Sequence, residues 1–241
     1  MYHFHADDGR ILTPPKELEP RLKGAFPVFS ELLGHIRFNY VVDELWDGKA
    51  SLAFRADGEQ LAALTLGKGV FHVHIADEDF QVVDEALLDT VFAALKKSPS
   101  GCHRPFEQRT LHGCPCGRRC DLCLGGKNEN FGYMNWLCYH GCIDEKVERG
   151  DCAFDCPGCE AIRTTKGCFG EDWNGCKYYL CLMERGHKNC AECGEYHSCD
   201  AFRDCHFPAQ CNLGITAEEV TKLVIPYAMR ERLDTVRNGL G

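Results

Sequence analysis

The stretch KASLAFRADGEQLAALTLGKGVFHVHIA, residues 49–76, decides the fold of the first part of the chain. Two breaks divide it. Asp57-Gly58 separates Lys49-to-Ala56 from Glu59-to-Leu66, and Gly67-Lys68-Gly69 separates that second run from Val70-to-Ala76. Asp-Gly between two β-prone runs is a hairpin signal, because the tight turn needs positive φ at its central positions. Three short antiparallel strands in a meander are therefore predicted. In the third, Phe71, Val73 and Ile75 alternate with His72 and His74, which puts the apolar trio on the core face. The two imidazoles then read as residues of a solvated sheet face rather than as a metal pair.

Helices are predicted on both sides of this meander. Upstream, Phe29, Leu32, Leu33, Ile36 and Tyr40 recur at three and four residues, one face of an amphipathic helix. Downstream, Asp77 or Asp79 is expected to cap a second helix carrying Val82, Val83, Leu87, Val91, Phe92 and Leu95. Ser98-Pro99-Ser100-Gly101 ends it and marks a boundary. Near the far end, Thr216-Ala217-Glu218-Glu219 is a capping box opening a helix with Val220, Leu223, Val224 and Tyr227, which Pro226 should kink or split. The charges from Arg230 to Arg237 read as a solvated helical face without chemistry. The expected class is α+β: a small antiparallel-sheet unit with flanking helices over residues 1–101, an irregular metal-stapled cysteine-rich domain over 102–211, and a helical segment over 212–241.

Composition supports that division. All 18 cysteines of the 241 residues fall between Cys102 and Cys211. The chain is 44% apolar, and no apolar stretch approaches the roughly 20 residues of a membrane span. Its start has neither a basic nor an apolar leader region, so a cytoplasmic location without membrane contact is expected. Cytosolic thiols are kept reduced, which turns the cysteines from a disulfide framework into metal ligands. The net charge of −9, with Lys and Arg scattered among acids, shows no basic stripe of the kind that binds nucleic acid.

Spacing points to thiolate metal sites. Cys116, Cys120 and Cys123 form C-x3-C-x2-C, and Cys152, Cys156 and Cys159 repeat it; Cys190 and Cys193 add a further C-x2-C pair. Two thiolates three residues apart on a tight turn chelate one ion without long-range ordering. Cys114, Cys138, Cys142, Cys168, Cys176, Cys181, Cys199 and Cys205 complete the predicted ligand set. Sets of four give two to four zinc ions, and their grouping does not follow from sequence. The alternative is an iron–sulfur protein, for electron transfer or as a redox enzyme, with four-iron four-sulfur clusters as cofactor, because each triplet completed by a distant cysteine holds one. A radical S-adenosylmethionine enzyme would need a barrel that the residues after Cys116 do not encode. A copper(I) store would need helix faces that Pro and Gly interrupt. No nucleophile–base pair or phosphate loop stands out, so no catalytic or cofactor-binding residues are assigned and enzymatic activity is not expected.

At Cys116-Gly117-Arg118-Arg119-Cys120-Asp121-Leu122-Cys123 the chain resembles a cysteine-rich bacterial and archaeal family, domain of unknown function 3795. Later motifs follow in the family's order: Cys156-Pro157-Gly158-Cys159, then Cys176 and Cys181 with Glu184 and Gly186, then Cys190, Cys193 and Cys199. The likeness covers residues 112–202 and implies zinc binding without naming an activity. Trp173 stands where the family pattern has a cysteine, and Cys168 is the candidate to replace it; Cys138, Cys142, Cys152, Cys205 and Cys211 are additional. The first part resembles domain of unknown function 3788 through its helix, the Gly48-to-Phe54 strand and Gly69-Val70-Phe71-His72-Val73. Together these readings imply a metal-binding protein whose cysteine-free half is a platform for a small-molecule or protein partner.

Overall fold

A computed structural model of the chain describes residues 4–5, 8–111, 116–117, 119, 177–200 and 207–239. Its centre is a five-stranded antiparallel meander: β3 (Asp43–Trp46), β4 (Ser51–Ala56), β5 (Glu59–Leu66), β6 (Phe71–Ile75) and β7 (Glu78–Val82), each strand paired with the next. A separate two-stranded ribbon joins β1 (Phe4–His5) to β2 (Ile11–Leu12). The register Leu52↔Leu64↔Val73 stacks apolar side chains across the sheet on one face. Asp57 and Gly58 both take positive φ, 50° and 83°, as the Asp-Gly hairpin requires.

The predicted three strands are the middle of this sheet, and two edge strands were not expected. The residues expected to start the second helix instead form β7, with His74 opposite Asp79 and Val73 opposite Phe80. Ala76, at φ 51°, makes the turn between β6 and β7 without Gly or Asn, so the sequence carries no hairpin signature there. The helix begins later. Asp84 accepts a hydrogen bond from the Ala86 N–H at 3.0 Å, caps a 3-10 turn, and leads into α3 (Leu88–Leu95).

Below the sheet lie α3 and α2 (Phe26–Asn39), entered through the short α1 (Glu19–Leu22). The predicted helical face is buried as expected: Phe29, Leu32, Leu33 and Ile36 are inaccessible to solvent and pack in one core with Leu52, Phe54, Leu64, Phe71, Val73, Val91 and Leu95. Phe29 meets Phe71 edge-on, with centroids 5.8 Å apart.

Later segments return to this unit. After α4 (Phe106–Arg109) and α5 (Lys177–Arg185), α6 (Phe207–Gln210) runs along α2, and Leu213 bridges to Thr13 and enters the core. A buried ion pair fixes this return. Arg37 of α2 holds Glu44 of β3 through two contacts of 2.6 and 2.8 Å, and also donates to the Cys211 and Asn212 carbonyls at 2.9 and 2.7 Å. Glu44 in turn accepts from the Gly214 N–H at 3.1 Å. Each charge is thus desolvated but fully hydrogen-bonded.

The capping box at Thr216 and Glu219 forms around α7 (Ala217–Glu219). A π turn over Val220–Val224 follows, and Pro226 splits the path through a 3-10 turn, Ile225–Tyr227, before α8 (Met229–Arg237). Contrary to the solvated reading, one side of α8 is interior. Arg232 and Leu233 are inaccessible, and Arg232 donates to the carbonyls of Ile225 and Gln108 at 2.8 and 3.0 Å and to that of Gly117. Among the described residues no helix is long and apolar enough to cross a membrane.

Candidate metal centre

The Cys190–Cys199 segment is a succession of three-residue turns. Asn189 caps the first by accepting from the Ala191 N–H at 2.9 Å. The Cys193 N–H then donates to the Cys190 carbonyl, Tyr196 to Cys193, and Cys199 to Tyr196, each at 3.2 Å. Bonds of this kind return the chain to the same side every three residues, so Cys190, Cys193, Tyr196 and Cys199 share a surface. That surface is packed. Cys190 and Tyr196 are buried in a cluster with Leu182 of α5 and with Met229 and Leu233 of α8, and Cys116, Cys193 and Cys199 pack against it.

Cys116 reaches the cluster because of its neighbour. Gly117 sits at φ 89°, and a Cβ there would lie 2.6 Å from the Met229 carbonyl oxygen and 3.0 Å from Leu233 Cγ. Only glycine brings this loop so close to α8. At the end of α8 Arg237 donates to the Ala191 and Cys193 carbonyls at 2.9 and 3.0 Å, holding the C-x2-C turn against the helix. Its guanidinium carbon also lies 5.7 Å from the Tyr196 ring centroid. Arg185 on α5 approaches Cys193 Sγ at 3.7 Å and is paired with Glu195 at 2.7 Å.

The electrostatics of this pocket of sulfur suit a cation. Burial, and then the nearby Cys116, Cys181, Cys199 and Cys193, push the Cys190 thiol up to about 12. A soft divalent ion supplies the opposing charge that lets a buried thiol such as Cys190 give up its proton. Thiol donors are the ligand type that zinc and iron–sulfur clusters take, and the Arg185 guanidinium beside Cys193 Sγ places a positive charge at this cluster.

Of the predicted ligands, Cys116, Cys181, Cys190, Cys193 and Cys199 are the described ones, and the fold brings them to one region. Cys114, Cys120, Cys123, Cys138, Cys142, Cys152, Cys156, Cys159, Cys168, Cys176 and Cys205 lie outside the described residues. Among the described residues no group of three or more His, Cys, Asp or Glu side chains is placed to hold a metal ion. Cys102 and Cys211, not in the predicted set, are both buried; Cys102 packs in the core, with its thiol donating to the Pro99 carbonyl at 2.9 Å. His72 is exposed on the solvated sheet face, while His74 Nδ1 lies 2.8 Å from Asp79 Oδ1, a pairing created by the unexpected strand β7. Spacing could not have singled out Arg185 and Arg237, whose roles depend on α5 and α8 meeting the C-x2-C turn. Comparison with known protein families, with curated proteins and with solved structures finds no match to this chain.

Proposed function

We propose that this is a metal-binding protein whose cysteine-rich half holds two to four structural zinc ions, and whose sheet-and-helix half presents a ligand- or partner-binding surface. The observation that carries this reading is the gathering of Cys116 with Cys190, Cys193 and Cys199, far along the chain from it, around one buried tyrosine and one face of α8. The order of motifs resembling the cysteine-rich family supports zinc as the metal. Structural zinc sites contribute folding energy directly, which suits a region with few aliphatic side chains. Iron–sulfur clusters remain the alternative that the two C-x3-C-x2-C triplets favour.

Cys190 is the most enclosed of the gathered thiols and is the site to test. In protein purified from cells grown without added metal, Cys190→Ser is expected to lower the zinc content by about one ion per chain relative to the wild type. An unchanged metal content in a folded variant contradicts the assignment of Cys190 as a ligand.

A further inference from the structure

A second site lies away from the thiols. α2 and the opposite face of α8 flank a cleft of about 1010 Å³, with α3, α6 and Arg109 of α4 completing its walls. Its floor is open because position 34 has no side chain: a Cβ on Gly34 would lie 3.7 Å from Ala209 Cβ and 3.8 Å from Glu231 Oε1. Phe26, Phe38 and Phe92 supply apolar wall.

Two groups of opposite charge line this cleft without neutralising each other. Glu231 Oε2 is buried and accepts no hydrogen bond among the described residues, and Arg109 Nε is buried and donates none. Among the described residues Arg109 donates to Asn39 Oδ1 at 3.3 Å and no carboxylate pairs with it. Burial pushes the Glu231 carboxyl up to about 7, with Asp234 acting in the same direction and Arg232 and Arg230 offsetting part of it. An unpaired buried charge is expensive and an unmade hydrogen bond costs more than a made one gains, so each group has an incentive to meet a ligand.

We propose that the cleft binds a small zwitterion, an α-amino acid with an apolar or aromatic side chain, its ammonium on Glu231 and its carboxylate on Arg109. This rests on the platform part of the function proposed above and names its ligand. Glu231 lies over Gly34 and Arg109 lies at Asn39, so the two groups line one cleft at different points along α2 and can take the opposite ends of a bound zwitterion. The phenylalanine walls then receive the side chain. Neither an amine nor a carboxylic acid alone satisfies both orphaned groups.

The test is calorimetric titration of the full-length, metal-loaded chain with L-phenylalanine, phenethylamine, 3-phenylpropionate and the dipeptide phenylalanyl-glycine. L-Phenylalanine is expected to bind at least tenfold more tightly than the amine or the acid. Glu231→Gln should abolish its advantage over 3-phenylpropionate, and Arg109→Gln its advantage over phenethylamine. The comparison of ligands on the wild type needs no variant, so a misfolded mutant does not obscure it. Equal affinity of the dipeptide would overturn the assignment to a single α-amino acid. Absence of L-phenylalanine binding, or equal binding of L-phenylalanine, the amine and the acid, overturns the proposal. Zinc content measured on the same samples separates the two readings: zinc-loaded protein that ignores L-phenylalanine sinks this one, whereas zinc-free protein that binds it sinks the metal assignment and leaves the cleft.

Discussion

His35 stacks on Phe92 with ring centroids 3.8 Å apart, and burial, helped by the positive charge of Lys96, lowers its pKa to about 4. The unfolded imidazole titrates near 6.5, so the folded state binds the proton less well. The resulting stability is fully present above about pH 6.5 and is lost as pH falls toward 4. With the ring half-buried, we expect a loss of about 1–2 kcal/mol between roughly pH 7.5 and pH 5, read from urea midpoints, and a flatter profile in His35→Leu. An equally steep profile in the variant would place the pH dependence elsewhere. Glu44 gives a larger effect. Truncation by Glu44→Ala leaves Arg37 buried with its charge unpaired, and should cost about 3–5 kcal/mol in a denaturant titration. A loss below about 1 kcal/mol would show that solvent reaches the pair.

At the scale of elements, Gly117 connects the loop at Cys116 to α8. Gly117→Ala combines a disfavoured φ with a clash against the Met229 carbonyl oxygen, so it should destabilise the protein by about 1–3 kcal/mol and displace Cys116 from Cys190. Lower metal content alongside the lost stability is the expected signature; stability lost with metal retained would detach Cys116 from the site. The elements differ in how far the sequence announced them. Helix α2 and strands β4 to β6 follow from period and turn chemistry, because their buried residues are apolar and their breaks contain glycine. The edge strands do not. β3 buries a carboxylate, Glu44, beside Leu45 at 45% exposure, and β7 opens with Glu78 and Asp79, which read as the acidic first turn of a helix. α8 hid its interior face because the residue buried there is Arg232, a cation whose terminal nitrogens donate to four carbonyls. The C-x2-C turn was legible as a chelating unit, but its companions at Cys116 and Cys181 meet it only through tertiary packing.

For the whole molecule, α8 ties the two regions together. Met229, Leu233 and Val236 face the thiol cluster, and Glu231 and Asp234 face the cleft on α2. If cysteine-bound zinc completes the fold, elemental mass spectrometry of anaerobically purified protein should find two to four zinc per chain and negligible iron in a colourless solution. Iron in whole-cluster multiples with a brown colour, or a folded chain without metal, would contradict it.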